Sequence, residues 1–384
     1  MSDTMRAAVV QRGEFSVVDL PVPQPGPGQL LLKVVRAGIC GSDLHARSHT
    51  ADLHALGVDL DYPAIMAPEQ QVVLGHEFVG ELVARGPRTR RRWKAGARVV
   101  ALPMVKHGNE IHMTGFDVAA PGAYAEYVLV QEGFAFEVPD GVDDEKAAFV
   151  EPLAVAWHAV RRGEVGRRPA IVIGCGPIGL AIILMLKASG VKTIIASDFS
   201  PTRRDLARQC GATVVVDPRE QSPWTAYKIP GPMGSVTEFA DFGLTAIGGM
   251  RKVPFFPWGR VLRIGDRIGA APAGPVVFEC VGVPGVLDEI MAKAPVRTRI
   301  VGVGVCMEPD TVRTTLALNK EHEIRFVFAY DPEEFQHTLG MIASGEVDPS
   351  PLHTGTVGLD GLAQAFADLG DPERHAKILV DPAR

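Results

Sequence analysis

The chain has 384 residues, more than a single hydrophobic core usually accommodates, so two domains are expected. Hydrophobic residues make up 46% of the chain and charged residues 22%, a composition that excludes an intrinsically disordered protein. The net charge of -6 argues against nucleic acid or an anionic membrane surface as a partner.

The first 150 residues favour a mostly antiparallel β domain. Short apolar and β-branched runs alternate there with breakers such as PVPQPGPG, and long helical periodicity is almost missing. The predicted strands cover residues 5–10, 15–20, 29–39, 78–84, 97–103 and 125–130.

The pattern changes near Glu151, where strands begin to alternate with helices. This alternation predicts βαβ units and a parallel sheet. Predicted helices cover residues 151–162, 180–190 and 200–212, and predicted strands cover residues 168–174, 191–198, 213–217, 276–282, 297–305 and 323–330. Helices at 333–344 and 362–369 and a strand at 376–381 follow.

The cysteines and the apolar stretches predict the cellular compartment of the protein. Five cysteines, an odd number, are scattered over the chain, which indicates a reducing compartment rather than a disulfide framework. The N-terminal sequence lacks the basic and then apolar pattern of a secretory signal. The longest apolar stretch has nine residues, against about twenty needed to span a bilayer. We therefore expect a cytoplasmic protein with no membrane partner.

A glycine-rich turn separates the predicted strand at 168–174 from the helix that follows. Its G-x-G-x-x-G pattern allows a tight turn, close approach of a pyrophosphate to the backbone, and close packing of helix on strand. The helix N-terminus adds partial positive charge for the phosphates. The predicted cofactor-binding residues of the turn are Gly174, Gly176, Pro177, Ile178 and Gly179.

An acidic residue, Asp198, ends the next predicted strand, 24 positions after Gly174. A carboxylate at this place accepts hydrogen bonds from the ribose hydroxyls and repels the 2′-phosphate of NADP, so NAD is the predicted cofactor. Arg203 is a further candidate for cofactor binding, and together with Arg204 it keeps NADP open.

Four side chains in the β domain or at its end, Cys40, His76, Glu77 and Glu151, form a plausible zinc set. Zinc takes thiolate, imidazole and carboxylate ligands, and a catalytic site leaves one position for water or substrate. Each residue alone has an ordinary structural explanation, such as a buried cysteine or a hydrogen-bonded histidine. Their order and their neighbours favour the metal site.

Those neighbours carry a family resemblance. The segments that carry it are AGICGSDLH (37–45), LGHEFVGELV (74–83), GAYAEYVLV (122–130), EPLAVAWHAV (151–160), VIGCGPIGL (172–180) and VVFECVG (276–282). In these segments the chain resembles the zinc-dependent medium-chain dehydrogenases, especially the branch with sorbitol, butanediol and threonine dehydrogenases. The resemblance implies an α/β protein with a GroES-like β-rich catalytic domain, 1–155 and 331–384, and a Rossmann doubly wound parallel sheet, 156–330.

The resemblance also implies roles for single residues. Cys40 and His76 would hold the catalytic zinc, and Glu77 or Glu151 would supply the remaining ligand or hold the metal-bound water.

A proton relay is implied beside the metal. Ser42 and His45 would carry the proton of the substrate away, by way of the nicotinamide ribose. Asp43 would orient His76.

Three segments depart from the family pattern. Many relatives hold a second, structural zinc with four cysteines where residues 103–122 contain none, and His107 and His112 are too few to replace them, so one catalytic zinc is predicted. An extended loop between Cys40 and His76 is expected to border the substrate pocket. The insertion at 218–275 is expected to hold extra secondary structure, as a flap or subunit contact, or to be a loosely ordered surface segment.

The predicted function is hydride transfer between a secondary alcohol or polyol, or the corresponding ketone, and NAD. Zinc lowers the pKa of bound water from 15.7 to about 7, and a comparable shift would activate an alcohol. The resemblance implies a homodimer or homotetramer that acts on a small molecule. Two alternatives remain: a zinc-free quinone or enone reductase of the same superfamily, which metal analysis would identify, and a non-catalytic NAD-binding protein, which would produce no NADH.

Overall fold

The computed structural model describes residues 3–62, 64–90, 93–227, 234–253, 257–267 and 273–384. The chain divides into two units. The first comprises Met1–His158, Gly176–Ala188 and Ala329–Arg384, and the second comprises Ala159–Cys175 and Ser189–Phe328. The predicted domain limits at 155 and 330 stay a prediction. Among the described helices, none combines the length and the apolar character that crossing a bilayer requires.

The strands and helices are numbered in chain order. The strands are β1 (Thr4–Gln11), β2 (Glu14–Pro21), β3 (Gln29–Gly38), β4 (Val72–Val73), β5 (Glu77–Arg85), β6 (Arg98–Ala101), β7 (Met104–His107), β8 (Glu110–Met113), β9 (Tyr127–Gln131), β10 (Ala135–Glu137), β11 (Ala170–Ile173), β12 (Ile194–Ser197), β13 (Val214–Val216), β14 (Val276–Glu279), β15 (Arg299–Gly302), β16 (Glu323–Phe326), β17 (His353–Val357) and β18 (Lys377–Val380). The helices are α1 (Gly41–Ser48), α2 (Thr50–Asp59), α3 (Asp144–Ala147), α4 (Val150–Gly163), α5 (Pro177–Ala188), α6 (Pro201–Cys210), α7 (Val236–Arg251), α8 (Trp258–Arg267), α9 (Val286–Lys293), α10 (Thr314–Asn319), α11 (Pro332–Ala343) and α12 (Leu362–Leu369).

The first unit is built on a mostly antiparallel β structure, which confirms the predicted β-rich domain. A sheet of seven strands has the order β10-β6-β5-β3-β18-β17, with β9 also paired to β3, and a smaller sheet has the order β2-β1-β4. The apolar side chains of β1, β3, β5 and β9 are buried in one core, which α12 joins. The pair Gly38↔Glu77 in the β3–β5 register is the detail that matters for the site.

The second unit contains a six-stranded parallel sheet in the order β13-β12-β11-β14-β15-β16. Strand β11 lies between β12 and β14, so the strand order reverses there, as in a doubly wound sheet. The strands β11, β12 and β14 are nearly continuous apolar runs with almost every side chain buried, as expected of a sheet covered on both faces. The predicted Rossmann sheet is confirmed.

Two segments differ from the expectation or extend it. The prediction of an extended loop between Cys40 and His76 is wrong over much of this segment. The segment forms α1, α2 and β4 instead. Helix formers such as Ala51, Leu53 and Ala55 outweigh the polar residues there. The insertion at 218–275 holds α7 and α8, and its residues 228–233, 254–256 and 268–272 lie outside the described residues.

Candidate functional site

Three potential metal ligands from two chain segments meet in the first unit. Cys40, His76 and Glu77 each offer one ligand atom, and these atoms lie within 4.8 Å of one another. The Gly38↔Glu77 pairing of β3 with β5 brings the segments together, because Cys40 lies two residues after the end of β3. A thiolate, an imidazole and a carboxylate are a donor set that suits zinc. The residues present therefore fit this metal.

Asp43 fixes the orientation of His76. Its Oδ1 lies 3.3 Å from His76 Nδ1, while its Oδ2 accepts hydrogen bonds from the Tyr124 hydroxyl at 2.7 Å and the Cys40 amide at 3.0 Å. Burial works to raise the pKa of Asp43, but the charge of His76 and these hydrogen bonds lower it below its ordinary value. Because Nδ1 faces Asp43, Nε2 is the nitrogen left for a metal.

Burial would by itself lower the pKa of His76, but the negative charges of Asp43 and Cys40 raise it well above its ordinary value. A metal ion that binds His76 through Nε2 requires that nitrogen to be unprotonated.

Glu77 is paired with a lysine that the sequence did not single out. Lys377 Nζ lies 2.6 Å from Glu77 Oε1 and also pairs with Oε2. Both side chains are buried, with exposed fractions of 2% for the lysine and 0% for the glutamate. Burial works to lower the pKa of Lys377, but the charge of Glu77 raises it above its ordinary value. The raised pKa of Lys377 therefore favours a charged ammonium group beside Glu77 inside the fold.

Glu151 is held separately, outside the three-residue group. Its Oε1 accepts a hydrogen bond from the Tyr330 hydroxyl at 2.8 Å. Burial, followed by the charge of Glu77, raises the pKa of Glu151 to about 7, although His76 and Tyr330 work to lower it. Burial and Glu151 raise the pKa of Tyr330 well above its ordinary value, so Tyr330 remains a hydrogen-bond donor. The two candidate carboxylates thus differ in their partners, since Glu77 faces an ammonium group and Glu151 a phenol.

Tyr330 is held in place from both sides along the chain. Ala329 has a φ of +55°, a left-handed conformation that is unfavourable for alanine. Asp331 caps α11 through a reciprocal capping box with Glu334. The Tyr330 ring also packs 5.5 Å from that of Phe335. The hydroxyl of Tyr330 is therefore directed at Glu151 by a fixed backbone.

The residues expected in the proton relay lie on α1. Ser42 Oγ is 3.4 Å from His76 Nε2, next to the metal ligands. His45 is half-buried one turn later, and its ring lies 6.1 Å from that of His49. Burial, followed by the charge of His49, lowers the pKa of His45 below its ordinary value. At neutral pH His45 is therefore able to accept a proton.

The glycine-rich turn follows β11 in the second unit and leads into α5. Gly174 has a φ of +87°, and a Cβ there would lie 2.8 Å from the side chain of Val281, so only glycine fits. Helix α5 begins at Pro177, and Ile178 and Gly179 form its first turn. Proline suits this position because its missing N–H would have no helical partner there.

Asp198 directly follows β12 and is joined to the glycine-rich turn. Its Oδ2 accepts a hydrogen bond from the Cys175 amide at 2.7 Å, and its Oδ1 accepts one from the Ser200 amide at 2.8 Å. Each oxygen keeps a lone pair for a further donor such as a ribose hydroxyl. The carboxylate is thus fixed beside the turn where a dinucleotide would bind.

The two arginines that follow have different surroundings. Arg204 donates to the Asp198 carbonyl at 2.9 Å and to Asp217 at 3.0 Å. Arg203 lies on α6, and its Nε is buried without a hydrogen-bond partner among the described residues. Arg203 is therefore the arginine with bonding capacity left for a ligand.

Two domain families match the chain. Residues 26–140 match the alcohol dehydrogenase GroES-like domain, and residues 177–230 match the zinc-binding dehydrogenase domain. These matches cover the segment that carries Cys40, His76 and Glu77, and the segment that begins with α5.

Named relatives match over nearly the whole chain. The chain is 30% identical to (R,R)-butanediol dehydrogenase of Bacillus subtilis (strain 168), over 96% of this chain and 97% of the relative. It is 28% identical to sorbitol dehydrogenase of Bos taurus, over 92% of this chain and 89% of the relative. A crystal structure from Sinorhizobium meliloti 1021, assigned as a zinc-binding dehydrogenase and bound to NADP, matches with a TM-score of 0.75 at 26% identity. The match covers 99% of this chain and 100% of the chain in that crystal structure.

Proposed function

This chain belongs to the zinc-dependent medium-chain dehydrogenase family, and from that premise we propose that it oxidises vicinal diols or polyols with NAD. It is an alcohol oxidoreductase that uses a nicotinamide cofactor. The observation that carries the proposal is the approach of Cys40, His76 and Glu77 to within 4.8 Å. The diol preference is taken from the butanediol and sorbitol dehydrogenases among the relatives.

Cys40, His76 and Glu77 would hold the zinc ion. Bound there, zinc acts as a Lewis acid that makes a substrate hydroxyl easier to deprotonate, and the nicotinamide accepts the hydride. Glu77 is favoured over Glu151 as the third ligand because only Glu77 belongs to the close group. The ammonium group of Lys377 lies against the carboxyl group of Glu77 and would compensate its negative charge.

Glu151 is assigned a different task, to hold a water molecule or a substrate hydroxyl. Its Oε1 is occupied by Tyr330, which leaves Oε2 for a further hydrogen bond. With a pKa of about 7, Glu151 can both accept and donate a proton near neutral pH.

Ser42 and His45 are proposed to take the proton away from the site. Ser42 Oγ lies beside His76 Nε2 and could accept the proton of the substrate while passing its own proton, by way of the nicotinamide ribose, to His45, whose lowered pKa leaves it unprotonated. NAD is preferred because the carboxylate of Asp198 would repel a 2′-phosphate. Arg203, with Nε unpaired, is the residue that would contact the ribose or a phosphate.

One zinc ion per chain is proposed. Residues 103–122 contain no cysteine, and β7 and β8 form a hairpin within this segment. Five free cysteines support a reducing, cytoplasmic location.

We propose a homodimer or homotetramer, because the parallel sheet has an exposed edge strand. Strand β16 ends the order of the parallel sheet, and Phe326 and Phe328 are 73% and 85% exposed. Phe326 belongs to β16 and Phe328 lies just beyond it, and exposed aromatic side chains beside an unpaired strand edge favour pairing with a second copy. Light scattering on the purified protein measures the assembly.

The proposal is tested by assaying reduction of NAD and NADP with butane-2,3-diol, sorbitol, threitol and simple secondary alcohols, together with metal analysis. We expect about one zinc per chain and the highest kcat/KM with NAD and a vicinal diol. Cys40→Ser should lose both zinc and activity. Cys306→Ser, at an exposed cysteine of the second unit, should keep both. Full activity of the Cys40 variant without zinc would contradict the proposal and revive the zinc-free reductase, and no turnover with any alcohol would revive the non-catalytic alternative.

A further inference from the structure

A buried histidine–aspartate pair lies in the segment where relatives would have a cysteine cluster. His112 Nδ1 is 2.6 Å from Asp117 Oδ2, and the two residues are only 7% and 5% exposed. The other oxygen of Asp117 accepts a hydrogen bond from the Ala119 amide at 2.8 Å. The pair closes the chain from β8 to residue 120 into a tight loop.

Tyr62 joins this pair from the segment after α2. Its hydroxyl accepts a hydrogen bond from the Met113 amide at 2.8 Å, donates to the Ile111 carbonyl at 3.1 Å and lies 3.5 Å from Asp117 Oδ2. Burial, with a smaller contribution from Asp117, raises the pKa of Tyr62, so the hydroxyl keeps its proton. We call Tyr62, His112 and Asp117 the clasp.

The loop closed by the clasp packs directly on the metal-binding segment. The Phe116 ring lies 5.0 Å from the ring of His76. Gly115 has a φ of +87°, and a Cβ on it would come within 3.1 Å of the Gly75 backbone, next to His76. The Phe116 carbonyl accepts a hydrogen bond from the Met66 amide at 2.8 Å. The contact of Phe116 with His76 and the contact of Gly115 with Gly75 therefore both depend on the position of this loop.

We propose that the clasp fixes this loop without a metal ion and thereby positions Phe116 and Gly115 against His76, so that Tyr62, His112 and Asp117 are positioning residues for the metal site. The His112–Asp117 pair and the Tyr62 hydroxyl join residue 62 to residues 111–117, as a ligand bound by both segments would. The proposal rests on the proposed function only in that His76 binds a metal.

The first measurement concerns the clasp alone, in metal-free protein. Amide hydrogen exchange of residues 111–120 is followed in the wild type, Asp117→Asn, Tyr62→Phe and Glu110→Gln. The two clasp variants should exchange about tenfold faster or more in this segment, because Tyr62→Phe removes the hydrogen bonds of the hydroxyl and Asp117→Asn removes the charge that strengthens the bond to His112. Glu110→Gln is the matched control, since Glu110 is 84% exposed and lies 3.9 Å from the other nitrogen of His112. Equal exchange in all four proteins would overturn the proposal.

The second measurement concerns the metal site, with cobalt(II) added to the metal-free protein. In the clasp variants the visible absorption of bound cobalt should shift and the affinity should fall severalfold, whereas Glu110→Gln should match the wild type. Faster exchange with an unchanged cobalt spectrum and affinity would overturn the coupling to His76. If Asp117→Asn does not fold, Tyr62→Phe decides the question. A wild type that binds neither cobalt nor zinc would instead refute the proposed function. The exchange data would still show whether the clasp fixes the loop.

Discussion

Lys377 and Glu77 form an ion pair inside the core of the first unit, with Nζ 2.6 Å from Oε1 and neither side chain more than 2% exposed. The pair joins the first residue of β18 to the first residue of β5. A charge buried at this depth is very unfavourable unless an opposite charge compensates it. The lysine therefore supplies a compensating positive charge for Glu77, beside Cys40 and His76.

Replacing Lys377 by methionine should have different effects with and without zinc. In metal-free protein the free energy of unfolding should fall by about 3–5 kcal/mol, because the buried charge of Glu77 loses its partner. With zinc bound the fall should be smaller, because the metal ion compensates the same carboxylate. Urea unfolding in the presence of zinc and of a chelator measures both values.

Lys33→Met is the matched control for this prediction. Lys33 is an exposed lysine on β3, in the same sheet, and its removal should change the free energy of unfolding by at most about 0.5 kcal/mol. An identical loss for Lys377→Met with and without zinc would mean that Glu77 does not contact the metal.

Tyr330→Phe should shift the pH dependence of turnover. The hydrogen bond from Tyr330 lowers the pKa of Glu151, which nevertheless stands at about 7, so the variant should have a higher pKa at this residue. Glu151 accepts a proton only as a carboxylate, which is present above its pKa. The rising limb of kcat/KM should therefore move to higher pH, with activity lost near pH 6–7 and largely recovered near pH 9. Tyr127→Phe, at a half-buried tyrosine of β9, should leave the limb in place. If the Tyr330 variant has the wild-type profile, Glu151 is not the titrating group.

Asp198→Asn should change the choice of cofactor. Asparagine keeps one oxygen for the Cys175 amide but loses the negative charge. We expect kcat/KM with NAD to fall about tenfold, because a hydrogen bond between ribose and a charged acceptor is weakened, and kcat/KM with NADP to rise. Asp205→Asn, at an exposed aspartate of α6, should change neither value. An unchanged ratio of NAD to NADP efficiency would remove Asp198 from cofactor selection.

The features that were predicted from the sequence are those with local signals. The strands of both sheets follow runs of apolar residues, and the glycine-rich turn is recognised from its own six residues and from the strand before it. Helix α2 was missed because the polar and acidic residues between Cys40 and His76 resemble those of a loop.

The partners of the two carboxylates were missed for a different reason. Lys377 lies 300 positions from Glu77, and Tyr330 lies 179 positions from Glu151. Lys377 begins an ordinary strand and Tyr330 lies in the connection between β16 and α11, and only the fold brings them to the site. A lysine at the start of the apolar run KILV was the one available signal, because a buried strand seldom contains a charge without a partner.

His49→Gln tests whether His45 takes part in proton transfer. Burial lowers the pKa of His45 first, and the charge of His49, whose ring lies 6.1 Å away, lowers it further. Removing His49 should therefore raise the pKa of His45, and because only unprotonated His45 accepts a proton, the acid limb of kcat should move to higher pH. His337→Gln, at an exposed histidine of α11, should have no effect on the limb. A limb that stays in place or moves to lower pH in His49→Gln would show that His45 does not carry the proton.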